Sequence, residues 1–135
     1  MSKLLARAKV KRDNAEYNYN RIGMDDAYID TCCNDLQQTI EFVLKYCVEM
    51  TGQHYVENHD VRAQMNLLKE AGVQLPCFDE LRRFAPMLLE WETSTRYNDD
   101  FIALIEDIND IREIADSLIS FADGLVKKID RGEKK

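Results

Sequence analysis

The chain predicts an all-α fold, an up-and-down antiparallel bundle of four to five helices. Apolar residues in every long segment recur at intervals of three and four, the helical period. No stretch of four or more residues alternates convincingly, so no strand is expected. Only five glycines and two prolines interrupt the 135 residues.

The first helix is expected from about residue 3 to 21. Leu5, Ala8, Arg12, Ala15 and Tyr19 repeat at three and four, and Gly23 breaks the pattern. Asp25 or Asp26 then starts a second helix, about 25–51, which stops at Gly52. Its stripe of Ile29, Cys33, Leu36, Ile40, Val43, Cys47 and Met50 is joined by Tyr28, Cys32, Phe42 and Tyr46 on other faces. A helix apolar on more than one side sits centrally in a bundle. At 1.5 Å per residue it is roughly 40 Å long.

A loop over 52–59 follows, and Asp60 is placed to cap a third helix at about 61–71 that stops at Gly72. Pro76 marks the next loop. A fourth helix, about 78–93, contains Pro86, which is expected to kink or split it by removing an amide donor. The last helix is expected to start near Asp99 or Asp100 and run to about 128. It carries the stripe Leu104, Ile108, Ile111, Ala115, Leu118, Ala122 and Leu125. Residues 1–128 read as one domain and 129–135 as a charged tail. Simple alternation of five passes would bring the second–third and fourth–fifth junctions to one end of the bundle.

Composition narrows the function. The net charge of −7 divides into +5 over residues 1–12, −15 over 13–126 and +3 over 127–135. An acidic body repels nucleic-acid backbone over most of its surface, so any RNA contact is confined to a local basic patch and DNA is not an expected partner. The apolar runs are too short to span a membrane, and no apolar secretory segment opens the chain. The expected compartment is the cytoplasm. Cys32, Cys33, Cys47 and Cys77 show neither metal nor disulfide spacing and read as free thiols.

Two polar clusters fall where helical patterns change over, His59-Asp60-Val61-Arg62 and Thr95-Arg96-Tyr97-Asn98-Asp99-Asp100. Helix junctions expose backbone N–H groups, and a junction arginine adds a forked charge, which suits a phosphate or nucleotide. His59, Asp60, Arg62, Arg96 and Tyr97 are therefore the candidate ligand-binding residues. Each has a plainer reading as well: His59 and Asp60 as caps, Arg62 as a solvated arginine, Arg96 as a structural arginine at a helix C-terminus, and Tyr97 as packing. Asn98, Asp99 and Asp100 read chiefly as caps of the last helix. The acidic run Glu106, Asp110 and Glu113 lies along one outward strip without histidines, so no metal site is expected. No Gly-rich phosphate loop, nucleophile elbow or zinc-protease motif is present, and no catalytic set or cofactor is expected.

Taken together, these residues resemble the HEPN family (higher eukaryotes and prokaryotes nucleotide-binding) from Leu4 to Val126. The resemblance is carried by Leu4-Leu5-Ala6-Arg7-Ala8, the Gly-Met-Asp-Asp-Ala-Tyr turn at 23–28, the helix with Cys33, Leu36, Gln37 and Gln38, His59-Asp60, and Thr95-Arg96-Tyr97 before the last helix. Asn98 stands where many members have proline. The resemblance implies an all-α bundle, usually a homodimer, often paired with a minimal nucleotidyltransferase in toxin–antitoxin-like systems. Other members are metal-independent RNases with an Arg-x4–6-His motif. No histidine follows Arg96 here, since both histidines lie upstream. The expectation is a non-catalytic binding module for a nucleotide or nucleotidyltransferase. The alternatives are a divergent RNase using Arg96 and His59 and a purely structural helical interaction protein.

Overall fold

In the computed structural model, five helices span the described residues, 2–97 and 101–130; for 95–97 and 126–130 only the backbone is described. They are α1 (Leu4–Tyr19), α2 (Ala27–Met50), α3 (Val61–Glu70), α4 (Phe78–Tyr97) and α5 (Ile105–Asp130). No strand occurs among the described residues, and the protein is all-α.

All four other helices pack on α2. It buries apolar Cys33, Leu36, Ile40, Val43 and Leu44 together with polar Asp35, Gln37, Thr39, Glu41 and Lys45. This is the centrally placed helix that its multi-sided apolar pattern predicts. Most of these buried polar side chains are hydrogen-bonded within the protein. Asn18 Nδ2 of α1 donates to Asp35 Oδ2 at 2.9 Å, and Thr39 Oγ1 donates to the Asp35 carbonyl at 2.7 Å. Burial pushes the Asp35 carboxyl above its ordinary pKa, against the pull of Lys11 and the Asn18 hydrogen bond.

Polar pairs fix how α1 and α5 run. Lys9 meets Asp123, Arg12 meets Asp116, Arg112 meets Glu16, and Tyr19 Oη meets Asn109, each at 2.6–2.7 Å at its closest. Numbers rising along α1 meet numbers falling along α5, so the two helices are antiparallel. The short 20–26 turn makes α1 and α2 an antiparallel hairpin as well. It follows that α2 and α5 run parallel, whereas five alternating passes would oppose them. The short α3 is the element that does not count as a pass. Thus α1, α2, α4 and α5 form the up-and-down bundle, and α3 is a short helix between its second and third passes. The second–third and fourth–fifth junctions therefore lie at opposite ends, which corrects the expectation that they share one.

Several boundaries also move. Pro86 lies inside a continuous α4, which runs to Tyr97 rather than ending near 93. Thr95, Arg96 and Tyr97 thus form the last turn of a helix, not a junction loop. The α5 helix begins at Ile105, and 101–104 are not helical, so it does not start near Asp99 or Asp100. The caps expected at Asn98, Asp99 and Asp100 fall outside the described residues. The charged tail expected at 129–135 lies mostly outside them too, and α5 itself runs to Asp130. Gly52 (φ +83°) and Gly72 (φ +79°) end α2 and α3 in the left-handed region, as their positions suggest. Cys77 takes a similar φ of +57° just before α4.

All four cysteines are free. Cys32, Cys33 and Cys47 are buried and Cys77 is half-buried. Burial pushes the Cys32 thiol up to about 12, with nearby Asp35 adding to the shift, and pushes Cys33 higher still. A neutral, inaccessible thiol is a poor nucleophile. Titration of the native protein with a thiol reagent should label Cys77 alone at first, with four thiols appearing on denaturation. Rapid native labelling of Cys32 or Cys33 would contradict this packing.

Candidate functional site

The site is built on one face of α2. Gln37, Glu41 and Lys45 are spaced by four residues, so they stack along a single helical face. Gln37 Nε2 donates to Glu41 Oε1 at 2.9 Å, and Lys45 Nζ contacts Glu41 Oε2 at 3.1 Å. All three side chains are buried.

The chain returns to this face after α2 ends. Tyr55 places its ring 5.0 Å from Lys45 Nζ, and His59 reaches Glu41, nine residues before the α2 C-terminus. The 51–60 segment therefore runs back along α2 instead of capping the bundle end. Gln64, buried in α3, holds it there. Its Oε1 accepts from Val56 N at 3.1 Å and its Nε2 donates to Val56 O at 2.6 Å. A side-chain amide that satisfies both backbone groups of one loop residue works like a strand pairing, at about 1 kcal/mol per bond.

His59 Nδ1 lies 2.9 Å from Glu41 Oε1, and Nε2 lies 3.7 Å from Glu92 Oε1 of α4. The imidazole is about half exposed, with 54% of its side-chain surface accessible, while both carboxylates are nearly covered. Burial alone pushes the Glu41 pKa up. Hydrogen bonds from His59, Gln37 and Lys45 outweigh it, and the carboxyl is held below the ordinary 4.5. Gln37 Oε1 is fully buried with no hydrogen-bond partner.

The sequence-predicted residues divide accordingly. His59 is in the cluster. Asp60 is a helix cap: its carboxylate accepts from Arg62 N at 3.1 Å. Arg62 folds back onto the same carboxylate, with Nη2 2.7 Å from Asp60 Oδ2, and holds that carboxyl below its ordinary value. These two residues neutralise each other on the surface beside the cluster. Arg96 follows Glu92 by one turn of α4, and Tyr97 follows Arg96, so their backbone lies next to the cluster; their side chains are not described. The juxtaposition of His59 with the end of α4 thus arises from the returning loop, not from alternation of five passes.

Sequence reasoning missed Glu41, Lys45, Gln37, Glu92 and Gln64. A signal for three of them was present: polar residues at 37, 41 and 45 on a helix otherwise apolar on several sides. Among the described residues, no group of three His, Cys, Asp or Glu side chains is arranged to hold a metal ion. Lys45 supplies beside Glu41 the positive charge that a cation would bring.

The five-helix bundle and this chain order accompany a family-model match to the HEPN domain over residues 1–131. The chain belongs to the HEPN family. No curated protein and no solved structure shows a significant match to it. Among the described residues, no helix of this HEPN domain is long and apolar enough to cross a membrane.

Glu41 is expected to contribute to the acid sensitivity of the fold. Folding lowers its pKa, so its ionised form stabilises the fold above pH 4.5, and this stabilisation is lost as pH falls through the lower folded value. Glu41→Gln should cost about 1.5–3 kcal/mol at neutral pH, the worth of hydrogen bonds to a charged group. It should also flatten the loss of stability in acid. Urea unfolding across the acid range checks this; parallel pH profiles for the two proteins would dissociate Glu41 from the effect.

Proposed function

We propose that this HEPN domain is a non-catalytic binding module that takes its ligand beside His59 and the last turn of α4. The ligand class is a nucleotide, or the surface of a minimal nucleotidyltransferase partner, in a toxin–antitoxin-like setting. The observation that carries the reading is the return of the 51–60 loop, which sets His59 3.7 Å from Glu92, one helical turn before Arg96. In this reading Arg96 supplies the charge for an anionic group, since Glu41 and Glu92 are already matched by Lys45 and His59. Asp60 and Arg62, which satisfy each other, hold the start of α3 beside the ligand. Tyr97 offers a ring for stacking or partner contact. The protein acts as a homodimer in the cytoplasm, a compartment that suits its four free thiols.

A second reading, a metal-independent RNase, is favoured by the Glu41–His59 pair. A carboxylate on Nδ1 orients an imidazole and leaves Nε2 as a general base, the arrangement used in hydrolytic triads. Arg96 would then steady phosphate charge. Incubation with RNA in EDTA separates the readings: cleavage by the wild type that is lost in His59→Ala selects the enzyme, and intact RNA selects the binding module.

Arg96→Ala should weaken nucleotide binding about ten- to a hundredfold, corresponding to about 1.5–3 kcal/mol for a charge-assisted contact. Arg96→Lys should recover only part of it, because an ammonium lacks the guanidinium fork. Melting temperature and nucleotide affinity are measured on the same variants. Unchanged affinity with a clear loss of stability would make Arg96 a helix-terminal structural residue.

A further inference from the structure

The cations of α1 divide between two sides of the helix. Lys9 and Arg12 meet Asp123 and Asp116 of α5. Lys3, Arg7 and Lys11 lie away from α5, and among the described residues they form no ion pair. Lys11 acts on buried Asp35 only at longer range. The first turn of α1 holds no acid, so the positive end of the helix dipole adds to these charges instead of being offset. The result is a local +5 over residues 1–12 on a body that carries −15 over 13–126.

The three uncompensated cations line a groove of about 640 Å³ together with Ala6, Val10 and Phe42. On α1 two rows run side by side at four-residue steps, Lys3, Arg7 and Lys11 in one and Ala6 and Val10 in the next. Val10 is 58% exposed, and Phe42, the α2 side of the groove, is half-buried. The stems of the lysines and arginine extend the apolar lining between them. Phe42 lies about 100° round α2 from Glu41, and no lining residue belongs to the His59 cluster, so the groove is a separate surface.

We propose that this groove binds an acidic amphipathic helix presented by another protein. The two rows define what fits. The occupant has to offer carboxylates about 6 Å apart beside a parallel row of apolar groups. A helix with Glu or Asp at four-residue steps and Leu-like residues in the adjacent row does this on one face. A strand presents a single row on each face, which meets the cations or the apolar row but not both. A fatty-acid anion brings one charge to three cations. A nucleic-acid strand carries its charge past the groove onto the acidic body, and Phe42 is the one ring in the lining on which a base could stack. The cation row covers about 12 Å, a little over two helical turns, which sets the length of partner helix engaged.

The test uses the full chain and a fluorescent synthetic peptide of about four helical turns. The peptide carries Glu in one row at four-residue steps, Leu in the next row, and Ala and Gln elsewhere. Fluorescence anisotropy at low salt should show saturable binding that weakens as salt is added. A peptide of the same composition in scrambled order should bind about tenfold more weakly. Arg7→Gln with Lys11→Gln should also lower affinity about tenfold, since exposed ion pairs contribute modestly one by one. Val10→Asp should lower it by placing an acid in the apolar row. Circular dichroism confirms the helical fold of each variant. Arg7→Gln alone, at an exposed position, gives a smaller loss and keeps the test decisive if Lys11→Gln disturbs Asp35. None of these variants should change nucleotide affinity at the His59 site, so failure here leaves that reading standing. Equal affinity for ordered and scrambled peptides, or no saturable binding, overturns the proposal. So does tighter binding of single-stranded polyuridylate or of oleate that is lost in the same variants, which would assign the groove to nucleic acid or to a lipid anion. Self-association lost in those variants would assign it to a second copy, with the same consequence.

Discussion

The structure depends on burying most of α2. A helix packed by four others keeps only a narrow solvated strip, and this one carries Asp35, Gln37, Thr39, Glu41 and Lys45 into the interior. The charged ones among them must therefore be paired within the protein, because an orphaned charge in a low-dielectric interior is far more costly than a solvated one. Asp35 is met by Asn18 from α1. Glu41 is met by Gln37 and Lys45 from its own helix and by His59 from a loop that has to travel back to reach it. The polar cluster is thus a consequence of how the core closes, and it gives the fold a specific reason to keep the 51–60 loop where it is.

That loop is the hinge of the functional reading. If it led straight from α2 into a full-length third pass, His59 would sit at an end of the bundle far from α4. Instead Gln64 fastens Val56 by both backbone groups, Tyr55 covers Lys45, and the chain arrives at Glu41 before α3 begins. The short α3 then turns the chain into α4, whose Glu92 completes the cluster from the far side. One buried glutamine thereby links loop geometry to the chemistry available at the site. A partly exposed imidazole is thereby held between two nearly covered carboxylates.

Charge is arranged with the same economy. Of the basic residues near the N-terminus, Lys9 and Arg12 lock α1 to α5, while Lys3, Arg7 and Lys11 stay on the outer side. The α5 acids divide in the same way: Asp116 and Asp123 pair at the surface with cations of α1, and Glu106, Asp110 and Glu113 are exposed. The outward strip expected from the sequence, Glu106, Asp110 and Glu113, is exposed, and the α5 acids that meet α1 lie off it. Surface ion pairs contribute little stability singly, so the value of the α1–α5 set lies in direction and register more than in energy.

Much was legible in the sequence because it is local. Helical period, glycine stops at Gly52 and Gly72, the Asp60 cap, the multi-sided apolar pattern of α2 and free thiols all follow from residues within a turn or two of one another. The order of those signals carried the HEPN resemblance. The tertiary structure decided what depends on direction: that α3 is not a pass, that α2 and α5 run parallel, that Thr95-Arg96-Tyr97 close a helix instead of opening a junction, and that His59 meets Glu41 and Glu92. Sequence spacing cannot distinguish a loop that caps a bundle end from one that runs back along it, because both are polar and of equal length. The choice is made by partners 18 and 33 residues away from His59, Glu41 and Glu92, whose burial creates the demand for a hydrogen bond only once the helices have packed.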